Sequence, residues 1–249
     1  MTVKKGRNIA VLASLLLCST ALGLQGEKVL AAEASSAKTP GQVELIENDE
    51  PTGPVNPLDP SKPGDSDKAP EDNGGSLTGN KGPLSLDVAP AAFNFGQQKM
   101  YSTEHTYQAV NVGDATDDGT PIENQYLQVT DNRDSDVFGW SVKVKQDSYL
   151  TDGAKVLTGT TINIPAGEAR NSLNTPTTDI DARLKTYDAK IDLAEQTVFE
   201  AKSQDKGGKA TSTSMWKSAD VELTIPTGVA KAGNYTNTVT WILTAEATN

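Results

Sequence analysis

His105 is the single histidine of this chain and Cys18 its single cysteine. Nucleophilic or metal-assisted chemistry has little to work with here. There is no H-E-x-x-H and no G-x-S-x-G, and His105 stands apart from any partner motif. Carboxylates are plentiful, at 33 Asp and Glu against 22 Lys and Arg. A paired-carboxylate hydrolase needs two of them in one cleft. No spacing places two together, and an aromatic content of 5% is low for a sugar cleft. No catalytic residue is assigned and no enzyme is expected. The closest approach to a metal loop is DNRDSD, with Asp131, Asp134 and Asp136. Calcium takes several carboxylate and carbonyl oxygens, but the D-x-D-x-D-G pattern of its commonest loop is missing. The segment reads as a polar turn whose Asp and Asn side chains bond local backbone, with Arg133 pairing a neighbouring carboxylate. GDATDDG (113–119) reads as a solvated loop. No metal and no cofactor is expected.

The aromatic side chains carry more information. In VFGWSVKV, Phe138, Trp140, Val142 and Val144 fall on one side of a strand, and Gly139, Ser141, Lys143 and Lys145 on the other. In YTNTVTWILTA, Tyr235, Val239, Trp241, Leu243 and Ala245 share a face opposite a row of threonines, with Ile242 the exception. Side chains alternate along a strand, so Trp-x-aliphatic turns two large apolar groups inward. A buried Trp removes about 150–250 Å² from water, on the order of 4–6 kcal/mol before entropy costs. The rival reading of Trp140 and Trp241 is stacking on sugar rings of a wall polymer. Trp216, in TSTSMWKSAD, lies outside a clear alternating run and is the better candidate for a partly exposed aromatic, with a packing role as the competing reading.

The elements that must position these residues are strands. LSLDV, FNF, TYQAVNV, QYLQVT, TTINIP, TVFEA and ADVELTIP join the two Trp segments as short runs rich in Val, Ile, Thr and aromatics, bounded by turn residues. LSLDV places Leu84, Leu86 and Val88 on one face. The expectation is all-β: a single β-sandwich or barrel-like domain over residues 83–249. One stretch dissents. Ile180, Leu184, Tyr187 and Ile191 follow a helical spacing, which predicts a short helical or irregular insertion between strands.

Two segments precede the domain. Residues 1–32 have a basic start at Lys4, Lys5 and Arg7, an apolar run from Ile9 to Leu24, and small residues at Ala31 and Ala32. That is the layout of a secretory signal peptide, cut after Ala31 or Ala32. The run is short of the roughly 20 residues that a spanning helix needs. Cys18 lies in the middle of it behind Leu17, which argues against lipidation, so the exported chain has no cysteine. Removing residues 1–32 takes the formal charge from −11 to −14. So acidic a chain is unsuited to nucleic acid, whose phosphates require Lys and Arg. Residues 33–82 hold seven prolines and ten acidic residues against four lysines, and GGSLTGNKGP (74–83) closes them. They read as an acidic, Pro-rich, disordered linker.

Taken together, Trp140-Ser-Val142, Trp241-Ile-Leu243, GPLSLDVAPAAFNFG (82–96), VTDNRDSDVFGW (129–140) and GNYTNTVTWILTAE (233–246) resemble the WxL domain of Gram-positive surface proteins. The resemblance covers residues 80–249. Val142 stands where that family usually has Leu. The resemblance implies an exported protein on the cell surface, held non-covalently to the cell wall with peptidoglycan or an attached polymer as ligand. It further implies membership of surface complexes with a membrane-anchored partner carrying immunoglobulin-like domains, and in some cases adhesion to host matrix proteins. Eight residues follow Trp241, with no LPxTG-type signal and no apolar tail, so attachment is expected to rest on binding. Trp140, Val142, Trp241 and Leu243 are the motif residues, as wall contacts or as core.

Overall fold

The computed structural model describes residues 35–64, 74–110 and 123–246. The signal segment and the 113–119 loop lie outside these. Residues 35–44 belong to an N-terminal unit and are exposed and without strand. The strands all belong to the unit from Leu45 onward.

This unit is all-β and antiparallel throughout. The first sheet runs in the order β11 (Glu168–Asn171), β15 (Ala210–Lys217), β6 (Asn124–Asp131), β4 (Leu84–Ala89) and β3 (Ser76–Leu77). The second runs β12 (Leu184–Thr186), β14 (Gln196–Ala201), β7 (Trp140–Gln146) and β17 (Val239–Ala245). The third runs β13 (Ala189–Ile191), β10 (Thr161–Ile164), β16 (Glu222–Ile225) and β5 (His105–Gln108). Two small hairpins complete it: β1 (Val55–Asn56) with β2 (Asp59–Pro63), and β8 (Thr151–Asp152) with β9 (Lys155–Val156). No sheet closes into a barrel among the described residues. One apolar core gathers inward residues of all three sheets, including Leu127 and Val129 of the first, Val142 and Phe199 of the second, and Ile162 and Leu223 of the third.

Three local expectations give way. The helical spacing around residue 184 is not a helix. Leu184 and Ile191 are buried on the short strands β12 and β13, while Ile180 is 60% exposed and Tyr187 sits at the surface. Two strands of three residues satisfy their apolar positions by period two, and the seven-residue spacing between Leu184 and Ile191 is set by the turn that joins the strands. In LSLDV, a bulge between Leu86 and Val88 shifts the register. Leu86 pairs Val129 toward the core, but Val88 pairs Gln128 on the opposite face. A bulge adds one residue to one strand and so reverses the facing of the residues beyond it.

The third departure concerns the segment read as a linker. Residues 53–64 form the β1–β2 hairpin, and β2 packs on β11 and β15. Its prolines Pro51, Pro54, Pro57, Pro60 and Pro63 recur every third residue, the period of an extended polyproline helix. Their fixed φ lowers the entropy lost on docking. Further on, the chain joins the first sheet as β3. Burial of a few polar contacts therefore orders a stretch whose composition alone argues for disorder.

Candidate functional site

The strands β7 and β17 bring the two Trp-x-aliphatic segments together. They are hydrogen-bonded neighbours in antiparallel register: Trp140 opposite Ala245, Val142 opposite Leu243, and Val144 opposite Trp241. Directly opposed residues share a face. The inward face of the pair is thus Trp140, Val142 and Val144 against Ala245, Leu243 and Trp241. Each tryptophan sits at the opposite end from the other, with the Val142–Leu243 pair between them.

The two indoles differ in setting. Trp140 is 1% exposed and meets Phe199 edge-to-face at 4.8 Å between ring centroids. Its indole N–H donates to the Gly208 carbonyl at 3.1 Å, giving the polar end of a buried Trp the partner it needs. Trp241 is half-buried and packs against the core from the outer strand. It stacks on Trp216, with ring centroids 6.4 Å apart and planes 29° apart. Trp216 is not the exposed aromatic that its segment suggests, being only 5% accessible. It lies near the end of β15, a central strand of the first sheet covered on both sides, and its Nε1–H donates to Gln125 Oε1 at 3.3 Å. The Thr and Ser of TSTS are buried with it. Alternation therefore never shows in the sequence, because both faces of the strand are covered.

The DNRDSD turn is built around a cation, and that cation is Lys209. Its ammonium donates to Asp131 Oδ1 (3.1 Å), Arg133 O (2.7 Å), Asp134 O (3.3 Å) and Val137 O (3.3 Å). Arg133 closes the turn from the other side. It grips Asp131 through Nε and Nη2 and donates to Gly139 O at 3.0 Å. One carboxylate and three carbonyls around a point charge are the donor set a metal ion would seek, here answered by an ammonium. No group of three potential ligands exists among the described residues. Gly208 and Lys209 are adjacent, so one short segment holds both the Trp140 indole and the turn leading into Trp140. Nothing near the turn in sequence announces Lys209. Only its distance in the fold is short.

Outward, β7 and β17 present Ser141, Lys143 and Lys145 beside Thr244, Ile242 and Thr240. Lys143 reaches Glu195 at 3.5 Å, with both side chains well exposed. Such a pair contributes little to stability and leaves the lysine available to a ligand.

The paired Trp-x-aliphatic strands thus knit the core of an all-β unit. The model of the WxL domain, described as a surface cell wall-binding domain, matches residues 32–246, and the chain belongs to that family. The match begins ahead of residue 83 and so takes in the proline hairpin. Neither the curated proteins nor the solved structures yield a match. WxL domains bind the cell wall, and the protein accordingly belongs at the cell surface. No helix among the described residues is long and apolar enough to cross a membrane.

Proposed function

We propose that the chain attaches non-covalently to peptidoglycan or a polymer linked to it through the outward face of the second sheet, and that it catalyses nothing. The observation that carries this reading is the inward facing of Trp140, Val142, Trp241 and Leu243. With these committed to packing, what the motif strands offer a ligand is the intervening set Ser141, Lys143, Lys145, Thr240, Ile242 and Thr244. Hydroxyls and ammonium groups suit glycan hydroxyls and wall phosphates or carboxylates. In residues 33–249, of net charge −14, these lysines supply local attraction to an anionic polymer that the rest of the surface repels.

The test is co-sedimentation of residues 33–249 with protein-stripped Gram-positive walls. A Lys143→Glu/Lys145→Glu variant should lose most binding at low salt with an unchanged melting temperature. Unchanged binding by that variant would sink the assignment of the face.

A second reading is supported by the position of β17. Among the described residues it pairs only with β7, and an open strand edge is a template for a partner's strand. A membrane-anchored partner with immunoglobulin-like domains would retain the chain in this way, and adhesion to host matrix would belong to the resulting complex. Loss of surface retention in cells lacking that partner, without loss of binding to stripped walls, is its signature.

A further inference from the structure

The outer face of the first sheet treats the proline hairpin as a peptide ligand. Gln128 is fully buried, and its amide reads main chain on both counts. Oε1 accepts from Val55 N (2.8 Å), and Nε2 donates to Gly53 O (2.9 Å). Thr213, on the neighbouring strand β15, donates its hydroxyl to Pro57 O at 2.9 Å. Asp59 of the hairpin is seated by Thr177 Oγ1 at 2.6 Å, alongside the hairpin's own Ser61 and Lys62. Beneath, Asp87 orients the reader: it accepts from Gln128 Nε2 (3.1 Å) and Thr130 Oγ1 (2.6 Å). The hairpin gives no side chain to the apolar core and pairs with none of the three sheets. Such contacts hold the hairpin by its main chain, at Gly53, Val55 and Pro57, and by one carboxylate, at Asp59.

We propose that this face is a recognition groove for a proline-triplet segment, filled here by the chain's own residues 53–63 and open to the same segment of a second copy. The identical contacts form whichever copy supplies the segment, so exchange costs only the joining of two chains. Residues 35–50, which precede the hairpin in the sequence, are exposed throughout. Eleven residues separate Gly64 from Ser76, enough for roughly 36–40 Å of extended chain. Copies crowded on a wall would thereby link to one another through elements they already possess.

The experiment starts from the intact chain 33–249 with a protease site placed within 65–73, so that folding precedes cutting. After cleavage, the N-terminal fragment is expected to stay with the body on gel filtration. A fluorescent peptide of residues 51–63 in excess should then displace it. An uncut second chain, labelled on Ser36→Cys, should displace it too and give a species of about twice the body's mass. With no other cysteine in the exported chain, that label is unique. Gln128→Ala in the body should weaken peptide binding at least tenfold, and Thr213→Val severalfold, with the circular-dichroism spectrum retained. Three results overturn the proposal: a folded body that binds no peptide, a fragment that no excess of peptide displaces, or displacement by peptide but never by the second chain. Equal binding by the wild-type, Gln128→Ala and Thr213→Val bodies would move the site elsewhere and overturn it as well.

Discussion

Val142 and Leu243, the third residues of the two Trp-x-aliphatic segments, stand directly opposite each other on β7 and β17. Val142 is fully buried and Leu243 half-buried against the same core. Their side chains share one volume, so the Val at position 142 is read in terms of the Leu it faces. Val142→Leu alone should cost about 1–3 kcal/mol through overpacking. Leu243→Val alone should cost about 0.5–1.5 kcal/mol, as for loss of one buried methylene group. The exchanged pair Val142→Leu/Leu243→Val should recover much of this, with a coupling of at least about 0.5 kcal/mol in urea unfolding. Strict additivity would mean that the two side chains do not share a volume.

Lys209 sits where a metal would in the turn before Trp140, and this makes a prediction about metals. Calcium and chelator should both leave the unfolding midpoint unchanged, because an ammonium already holds the oxygens. Lys209→Met should destabilise by about 1–3 kcal/mol, the range for stranding buried acceptors. Arg133 still covers the Asp131 carboxylate, so the larger cost of an uncompensated buried charge is not expected. A calcium-dependent midpoint in the wild type would contradict the assignment.

Asp87 predicts a pH dependence. It is 2% exposed and has no cation beside it among the described residues; its partners are Ser85, Thr130 and Gln128. Burial pushes its carboxyl above the usual carboxylate range, against the hydrogen bonds that favour the charged form. A raised carboxyl binds its proton more tightly folded than unfolded. Its contribution to stability is therefore greatest below about pH 4 and is lost as pH rises through the folded value. Asp87→Asn keeps acceptors for Thr130 and Gln128 and carries no charge. The variant should gain on the wild type progressively from pH 4 to pH 7 in parallel urea titrations. A constant difference across that range would show that Asp87 does not titrate in it.

How much of the fold and site is legible in the sequence depends on where each signal resides. The alternation in WSVKVKQ is local, and β7 buries every second residue of it. The pairing of β7 with β17 is not local: some hundred residues intervene, and no spacing rule carries register across them. Trp216 is misplaced by its sequence context because a strand buried on both faces shows no alternation. The proline segment misleads because composition describes what a chain can bury by itself, while Gln128 and Thr213 bury it from outside. The triplet spacing of its prolines is the available clue. Lys209 offers no clue at all, since the turn it fills lies more than seventy residues upstream.

Gly208 seats Trp140, whose indole N–H donates to its carbonyl. Its φ of +76° lies in the left-handed region, and a Cβ there would stand 2.5 Å from Ala201 Cβ and 2.7 Å from Trp140 Nε1. Gly153, in the β8–β9 turn, also has positive φ (+57°), but nothing among the described residues lies within 4 Å of where its Cβ would be. Gly153→Ala therefore reports backbone strain alone, about 1 kcal/mol. Gly208→Ala adds displacement of the indole from its carbonyl partner and should cost about 2–4 kcal/mol in all. The difference between the two in urea unfolding isolates the seat of Trp140. With Trp140 acting through packing alone, Gly208→Ala should still bind stripped walls normally at temperatures where circular dichroism shows it folded. Loss of wall binding by a folded Gly208→Ala protein would instead make the Trp140 seat part of the contact surface and overturn the placement of that surface on the outward residues of β7 and β17.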